Sequence, residues 1–369
     1  MKKVIVGISG GVDSSVAAWL LQQQGYLVEG LFMKNWENDD EKEYCSSEED
    51  LSDAWSICNT LKIPLHTVNF AQEYWENVFQ VFLQAYQSGF TPNPDVLCNK
   101  EIKFKHFLDF ALEDLGADFI ATGHYVRCMN VKKKITLMKG IDQNKDQSYF
   151  LYTLNQQQLK RCLFPIGSLT KLTVRKIAKE LNLITANKKD STGICFIGKR
   201  NFRSFLSNYI AIQPGDIINI HGNKLGLHQG IPFYTIGQRK GLNIGGISNG
   251  NGKPWYVVDK NITHNVLIVA QGINHPCLMS RIFIVQKIFW IKGNILKSPI
   301  QCSVKIRYQQ SDVQCQIYPI SVDTLKIILK QPVTAIAPGQ SAVFYIKKHC
   351  IGGGTIIKRF PLIHIKNYY

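Results

Sequence analysis

The sequence predicts an α/β protein: a doubly wound, Rossmann-like parallel sheet to about residue 200, then predominantly β central and C-terminal domains, the last a β-barrel. Three observations predict it. Strand-like and helical apolar patterns alternate through the first part; past Phe202 helical periodicity fades into short β-branched and aromatic runs; and the charge divides at the same place. With 369 residues there is room for two or three cores, and the expected domains are 1–202, 203–275 and 276–369.

Residues 4–8 form a short buried-strand run, 15–24 a helix closed by Gly25, and 27–33 a second strand, a unit that implies parallel pairing. The stretch 37–53 packs nine acids against one lysine and reads as a solvated loop leading into a helix near Glu48, with no catalytic role. Phe104, Phe107, Leu108, Ala111, Leu112 and Leu115 recur at helical spacing, and residues 117–122 follow as a strand. A third helix spans 172–183, with Val174, Ile177, Ala178 and Leu181 on one face. Beyond it, runs at 255–258, 266–270, 282–289, 301–307, 324–329 and 341–346 lie between Gly, Pro and Asn turns, and the turn at 274–277 marks a soft boundary. No internal repeat stands out.

Residues 1–200 carry 24 Lys and Arg against 23 Asp and Glu, whereas 201–369 carry 19 bases, four aspartates and no glutamate. A folded β half so one-sided reads as a surface that meets a polyanion. No apolar run approaches the roughly 18–20 residues of a membrane span, so a cytoplasmic protein with no membrane partner is expected. The ten cysteines contain no C-x-x-C pair, which argues against a zinc ribbon or a thioredoxin-like motif.

Between the first strand and helix lies Gly7-Ile8-Ser9-Gly10-Gly11-Val12-Asp13-Ser14. In such a turn backbone N–H groups converge on an anion, because glycine permits close approach and the helix start adds a positive dipole. A Walker loop would need a lysine, and there is none between Lys3 and Lys34; the glycines do not fit G-x-G-x-x-G either. Two serine hydroxyls can donate to phosphate oxygens, while Asp13 would repel phosphate unless a metal stood between them. Asp13 or Ser14 capping the helix is the plainer alternative. No other side-chain metal set is expected.

This loop resembles the pyrophosphate-binding loop of the ATP pyrophosphatase family, whose members cleave ATP between the α and β phosphates to adenylate an acceptor. The resemblance implies ATP, Mg²⁺, release of pyrophosphate and a sheet of the adenine nucleotide hydrolase type, with Met33 and Gly123 at positions that bind adenosine.

Two further clusters carry cysteines. In Asn93-Pro94-Asp95-Val96-Leu97-Cys98-Asn99-Lys100, Cys98 is expected just before a helix, where unpaired N–H groups favour a thiolate; Asp95 could move a proton or make an Asx turn. In Asp190-Ser191-Thr192-Gly193-Ile194-Cys195, Cys195 follows a glycine at a domain junction, a place for chemistry or for a packed thiol. Beside an adenylating loop, two cysteines suit sulfur-for-oxygen exchange, one carrying a persulfide and one releasing its outer sulfur as a disulfide.

The stretches SGGVDSS, FMKNW, TPNPDVLCNKEIKF, ATGHYVR, KDQSYFL, DSTGICFIGKRNF, YTIGQRKGL, KIRY and APGQ run in order from residue 9 to 340 and resemble those of the bacterial tRNA-specific 2-thiouridylase family. The resemblance implies 2-thiolation of the wobble uridine of tRNA, with Cys98 the nucleophile, Cys195 the persulfide carrier, and a transient disulfide between them. It implies target-base contacts at Asn93, Pro94 and Asp95, with Asp95 the acid/base candidate, and tRNA contacts at His124, Lys145, Asp146, Gln147, Arg307, Tyr308 and Gln340. Its partners would be tRNA and a persulfide sulfur carrier or cysteine desulfurase, and the chain is expected to act as a monomer. Two competing readings remain: the same loop adenylating a small-molecule acceptor, as in amidating or argininosuccinate-forming relatives, and an RNA-binding protein with a vestigial nucleotide site. The first leaves the basic half and both cysteines without a role; the second leaves Ser9 to Ser14 intact without a reason.

Overall fold

Val4 and Val6 pack into one apolar cluster and Ile5 into another, so strand β1 (Lys3–Gly7) has both faces covered, as an inner strand between helical layers must. The computed structural model describes residues 1–36, 46–131, 133–190, 201–244 and 252–364. After β1 come α1 (Val12–Gln23), β2 (Leu27–Lys34), α2 (Ser46–Leu61), β3 (Leu65–Asn69) and β4 (Phe119–Ala121). A hairpin, β5 (Val126–Val131) and β6 (Lys134–Lys139), precedes the short β7 (Cys162–Leu163). The first sheet is parallel throughout, in the order β3-β2-β1-β4-β7. The order reverses at β1, so the carboxyl ends of β1 and β4 flank a switch point, where open α/β sheets hold their ligands.

The second sheet contains β8 (Gly215–Asn219), β9 (Lys224–His228), β10 (Trp255–Asn261) and β11 (Val266–Gln271), in the order β10-β11-β8-β9. Ile217, Val257, Leu267 and Val269 fill its core. The third contains β12 (Met279–Trp290), β13 (Ile300–Lys305), β14 (Val313–Ser321), β15 (Thr324–Thr334), β16 (Ser341–Ile346) and β17 (His349–Pro361). Pairing of β12 with β17 closes these six strands into a barrel. Gly352, Gly353 and Gly354 make that closure possible: a Cβ there would lie 2.1 Å from Phe289 O, 2.6 Å from Ala342 O and 2.7 Å from Gln286 O. The sequence reading placed no strand beyond residue 346 and so omitted β17, and it omitted β14, where Cys315 and Ile317 alternate with Gln314 and Gln316 instead of forming an apolar run.

The hairpin β5–β6 also departs from expectation. It belongs by sequence to the α/β part, yet β6 pairs with β17, Leu137 opposite Cys350 and Met138 opposite His349, and so extends the barrel sheet. The α/β and barrel parts therefore share a sheet. A short helix, Phe202–Ser207, follows the α/β part, and α2 (Ser46–Leu61) lies where a helix starting near Glu48 is expected. Among the described residues no helix is long and apolar enough to cross a membrane.

Candidate active site

The glycine turn lies at the carboxyl end of β1. Gly10 adopts φ +68°, and a Cβ there would lie 2.4 Å from the carbonyl oxygen of Asp50 in α2, so only glycine fits. Gly11 is the N-cap of α1 and no side chain caps it, which leaves the first-turn N–H groups without a side-chain acceptor. The cap reading of Asp13 and Ser14 is thereby overturned. The two serines differ: Ser9 is exposed, whereas Ser14 is buried, with its Oγ donating to Gly11 O at 3.1 Å and accepting from Ser9 N at 3.2 Å. Ser14 thus braces the loop.

Both predicted adenosine positions adjoin the loop. Met33 Cε lies 3.6 Å from where a Cβ on Gly7 would be. Gly123, just past β4, packs so closely on α1 that a Cβ would lie 2.7 Å from Asp13 C and from Ser14 N.

Asp13 sits in an ionic network. Lys171 Nζ donates to both of its carboxylate oxygens at 2.8 Å, and Tyr125 OH donates to Oδ1 at 2.7 Å. The same ammonium reaches Asp190 Oδ1 at 2.7 Å, and Asp190 also holds Lys145 at 2.6 Å and Arg175 at 3.1 Å. Partial burial alone would raise the Asp190 carboxyl; hydrogen bonds from Lys145 and Lys171 outweigh it and hold the group at about 2. On the other side of the loop, Lys188 Nζ donates to Gly10 O at 3.0 Å and to Asp50 Oδ1 at 2.7 Å, and also pairs with Asp53.

This network surrounds the carboxylate at which a metal is expected. Three donors occupy its two oxygens, and among the described residues no group of three or more His, Cys, Asp or Glu converges. Mg²⁺ at a phosphate site is held by one or two carboxylates together with the substrate phosphates, so Asp13 is the residue that would hold it; in this structure the charge beside Asp13 is Lys171.

The second cluster forms a helix that starts earlier than predicted. Asn93 is its N-cap, its Oδ1 accepting from Asp95 N at 3.2 Å and Val96 N at 3.4 Å, with Pro94 at the first position. The helix runs through Pro94–Leu97, a wider π-wound turn Cys98–His106, and Phe107–Glu113. Cys98 is therefore one turn inside the helix, its N–H committed to the carbonyl of Pro94, and the argument that a helix terminus favours its thiolate fails. The thiol is buried. Phe107 contacts the Gly7 position, and the Phe104 ring lies 5.7 Å from His124, so this helix leans on the ends of β1 and β4.

Burial raises the Asp95 carboxyl above its ordinary value, opposed by the charge of Lys103, a direction that suits a proton carrier. Burial holds His124 well below its ordinary value, reinforced by Lys103, and its Nδ1 is 2.7 Å from Thr122 Oγ1. His124 is thus a buried neutral ring.

Of the remaining predicted contacts, Gln340 holds the loop 91–95 and Arg307 lines a cavity beside it. Gln340 Nε2 donates to Thr91 O at 2.8 Å, and Thr91 Oγ1 lies 3.1 Å from Thr235 Oγ1, so the barrel and the central sheet both hold this loop. Arg307 donates to Ile236 O at 3.1 Å and Ala335 O at 2.8 Å. Thr91, Thr235, Ile236, Gly237, Arg307 and Gln340 line a cavity of about 260 Å³ at this junction. Tyr149 OH donates to Ser341 O at 3.0 Å and is hydrogen-bonded to the Asn93 side chain. Tyr308 packs on Phe150 at 4.5 Å between ring centroids.

Lys145, Asp146 and Gln147 serve the fold in this structure. Lys145 binds Asp190, Asp146 is 3% exposed and accepts from Gly140 N and Ser148 N, and Gln147 Oε1 accepts from Tyr125 N. Cys195 lies outside the described residues.

Sequence reasoning missed Lys171, Tyr125, Arg175 and Lys188. Tyr125 stood within ATGHYVR and Asp190 within DSTGIC, but Lys171 is in no quoted motif and is 158 residues from Asp13. Thr235, in YTIGQRKGL, carried a signal without a role.

Comparison with known proteins follows the three-part architecture. The family model described as tRNA methyl transferase HUP domain matches residues 2–199, tRNA methyl transferase PRC-barrel domain matches 203–271, and aminomethyltransferase beta-barrel domain matches 280–356. The chain is 67% identical to the tRNA-specific 2-thiouridylase MnmA of Blochmanniella pennsylvanica, over 97% of this chain and 98% of that protein. It is 61% identical to the protein of the same description from Sodalis glossinidius and 60% identical to that from Escherichia coli, each over 98% of both chains.

Proposed function

Because the chain belongs to the tRNA-specific 2-thiouridylase family, a family of tRNA sulfurtransferases, we propose that it thiolates C2 of the wobble uridine of tRNA through an adenylated intermediate. The observation that carries this reading is the contact of the Cys98 helix with the loop-bearing strand ends, Phe107 against Gly7 and Phe104 beside His124.

In this reading ATP lies along the glycine loop, its phosphates on the first-turn N–H groups of α1 and its adenosine toward Met33 and Gly123. The uridine O2 forms a bond to the α phosphorus, the bridging P–O bond breaks, and pyrophosphate leaves with the electron pair. The outer sulfur of a Cys195 persulfide then attacks C2 and AMP departs. The Cys98 thiolate attacks the Cys195 sulfur, the S–S bond breaks toward the nucleoside, and 2-thiouridine is released beside a Cys98–Cys195 disulfide that a thiol reductant reopens. Asp95, its carboxyl raised by burial, moves the proton at the target base. The persulfide comes from a sulfur carrier or a cysteine desulfurase, the basic half holds the tRNA backbone, and the chain works as a monomer in the cytoplasm.

Mass spectrometry of tRNA nucleosides after incubation with the protein, ATP, Mg²⁺ and a persulfide donor tests this. Uridine should gain the mass difference of sulfur over oxygen, and Cys98→Ser and Cys195→Ser should each abolish the gain while ATP still binds. Full incorporation by either variant would overturn the two-cysteine mechanism.

A further inference from the structure

Cys302, Val304 and Ile306 fill the barrel core, so Ser303 and Lys305, which alternate with them along β13, face outward. That outward face does not meet solvent. Opposite Ser303 and Lys305 on β16 stand Tyr345 and Val343, which pack with the apolar cluster of the α/β part, and Lys305 is 8% exposed. Its ammonium lies 3.6 Å from Asp146 Oδ2, the one ion pair it makes among the described residues. Asp146 comes from the other side of the seam and is buried too: its Oδ1 accepts from Gly140 N and Ser148 N, and its Oδ2 from Ser148 Oγ at 3.0 Å. Ser148 Oγ is in turn 3.2 Å from Tyr345 OH. A buried ion pair adds little net stability yet selects one register among several, because every other register strands a charge.

We propose that the Asp146–Lys305 pair pins the barrel to the α/β part in the register that aligns their tRNA-binding segments, which makes Lys305 a positioning residue for tRNA. This rests on the tRNA reading above. The pair sits between the two segments at stake. Asp146 lies between Lys145 and Gln147 and holds Ser148, which opens the turn Ser148–Phe150; Lys305 stands just before Arg307 and Tyr308, and Tyr308 packs on Phe150 at 4.5 Å. A second pair, Lys139 with Asp312, crosses the same seam, the Lys139 ammonium 4.2 Å from the centre of the Tyr345 ring. Both Asp146 and Lys305 are buried, so they act on tRNA through the segments they hold and not by touching it.

The test uses the full chain, with tRNA binding read by fluorescence anisotropy and folding by thermal melting. Lys305→Met strands a buried carboxylate, so it should lower the melting temperature and weaken tRNA about tenfold. Asp146→Asn keeps an acceptor for Gly140 N and Ser148 N but strands the ammonium, with the same two effects. The double variant leaves no charge unpaired, and its melting temperature should return to within about 2 °C of the unsubstituted chain. Its tRNA affinity should stay about tenfold weak and not fall the roughly hundredfold that two independent sites would give. ATP affinity should be unchanged in all three. If a single variant does not fold, the double variant carries the test alone. Recovery of tRNA affinity together with the melting temperature in the double variant would overturn the proposal, because the pair would then serve stability only. A loss of about a hundredfold would overturn it too, marking the two residues as separate tRNA contacts. Absence of tRNA binding by the unsubstituted chain would overturn the tRNA reading as well.

Discussion

Gln340 Nε2 donates to the carbonyl oxygen of Thr91 at 2.8 Å, across 249 residues of sequence. That bond ties the barrel to the loop that leads into Asn93, Asp95 and Cys98. Thr91 N also donates to Pro338 O at 2.9 Å, and Gly339, at φ +95°, packs where a Cβ would lie 2.6 Å from Thr91 N. The barrel thereby helps to set the geometry of the loop 91–95.

Removing the tie should misplace the loop without emptying the nucleotide site. Gln340→Ala is expected to cost about 1 kcal/mol of stability, the usual net value of one hydrogen bond. It should lower the thiolation kcat by about tenfold, because positioning errors near 1 Å cost rate steeply. ATP affinity should not change. Thermal unfolding and single-turnover thiolation measure both effects, and an unaltered kcat would count against the loop's dependence on the barrel.

Asp95→Asn separates chemistry from stability. Burial raises the folded-state pKa of Asp95 above its ordinary 3.8, so the folded protein favours the protonated form and carries a cost once the group ionises. Below pH 3.8 both states are protonated and the cost vanishes; it grows as pH rises through the folded-state value. Asp95→Asn should therefore raise the melting temperature at neutral pH and leave it unchanged near pH 3. Thiolation should fall by at least about a hundredfold if the carboxyl moves a proton. Melting curves at the two pH values check the sign.

Gly123→Ala places a methyl group 2.7 Å from two backbone atoms of α1, which no rotamer change can relieve. Overpacking of this kind costs about 1–3 kcal/mol. The shift falls on the first turn of α1, so ATP affinity should drop about tenfold or more, a loss readable by calorimetry beside a melting curve.

The 19 bases and four acids of residues 201–369 set an expectation for salt. If the full chain covers about five phosphates, tRNA affinity should fall roughly a hundredfold between 50 and 200 mM salt, as counterions are released. Filter binding or fluorescence anisotropy at several ionic strengths gives the slope. A flat response would leave the basic half without its proposed partner.

Much of the architecture was legible from local pattern. Residues 4–8 and 27–33 alternate with a helix in ways that only a covered parallel strand pair satisfies, and β1, α1 and β2 lie within a few residues of expectation. The glycine turn was legible too, since two adjacent glycines before a helix leave few alternatives to a close backbone approach. Less legible were elements whose cause lies elsewhere in the chain. Glycines 352–354 carry no strand pattern of their own and find their place only against β12 and β16, and the hairpin 126–139 joins the barrel only because β17 offers it an edge.

By itself the sequence determined the α/β-then-β organisation, the loop, the two cysteine clusters and the division of charge, because each is written in neighbouring residues. Tertiary structure alone decided what those residues meet. It set Lys171 against Asp13 across 158 positions, moved Cys98 one turn into its helix, drew the Ser14 hydroxyl onto Gly11 O, and hung the loop 91–95 on Gln340. Partners so far apart in sequence leave no periodicity or spacing to read. Only the packed chain brings a buried ammonium and the carboxylates that neutralise it within hydrogen-bond reach.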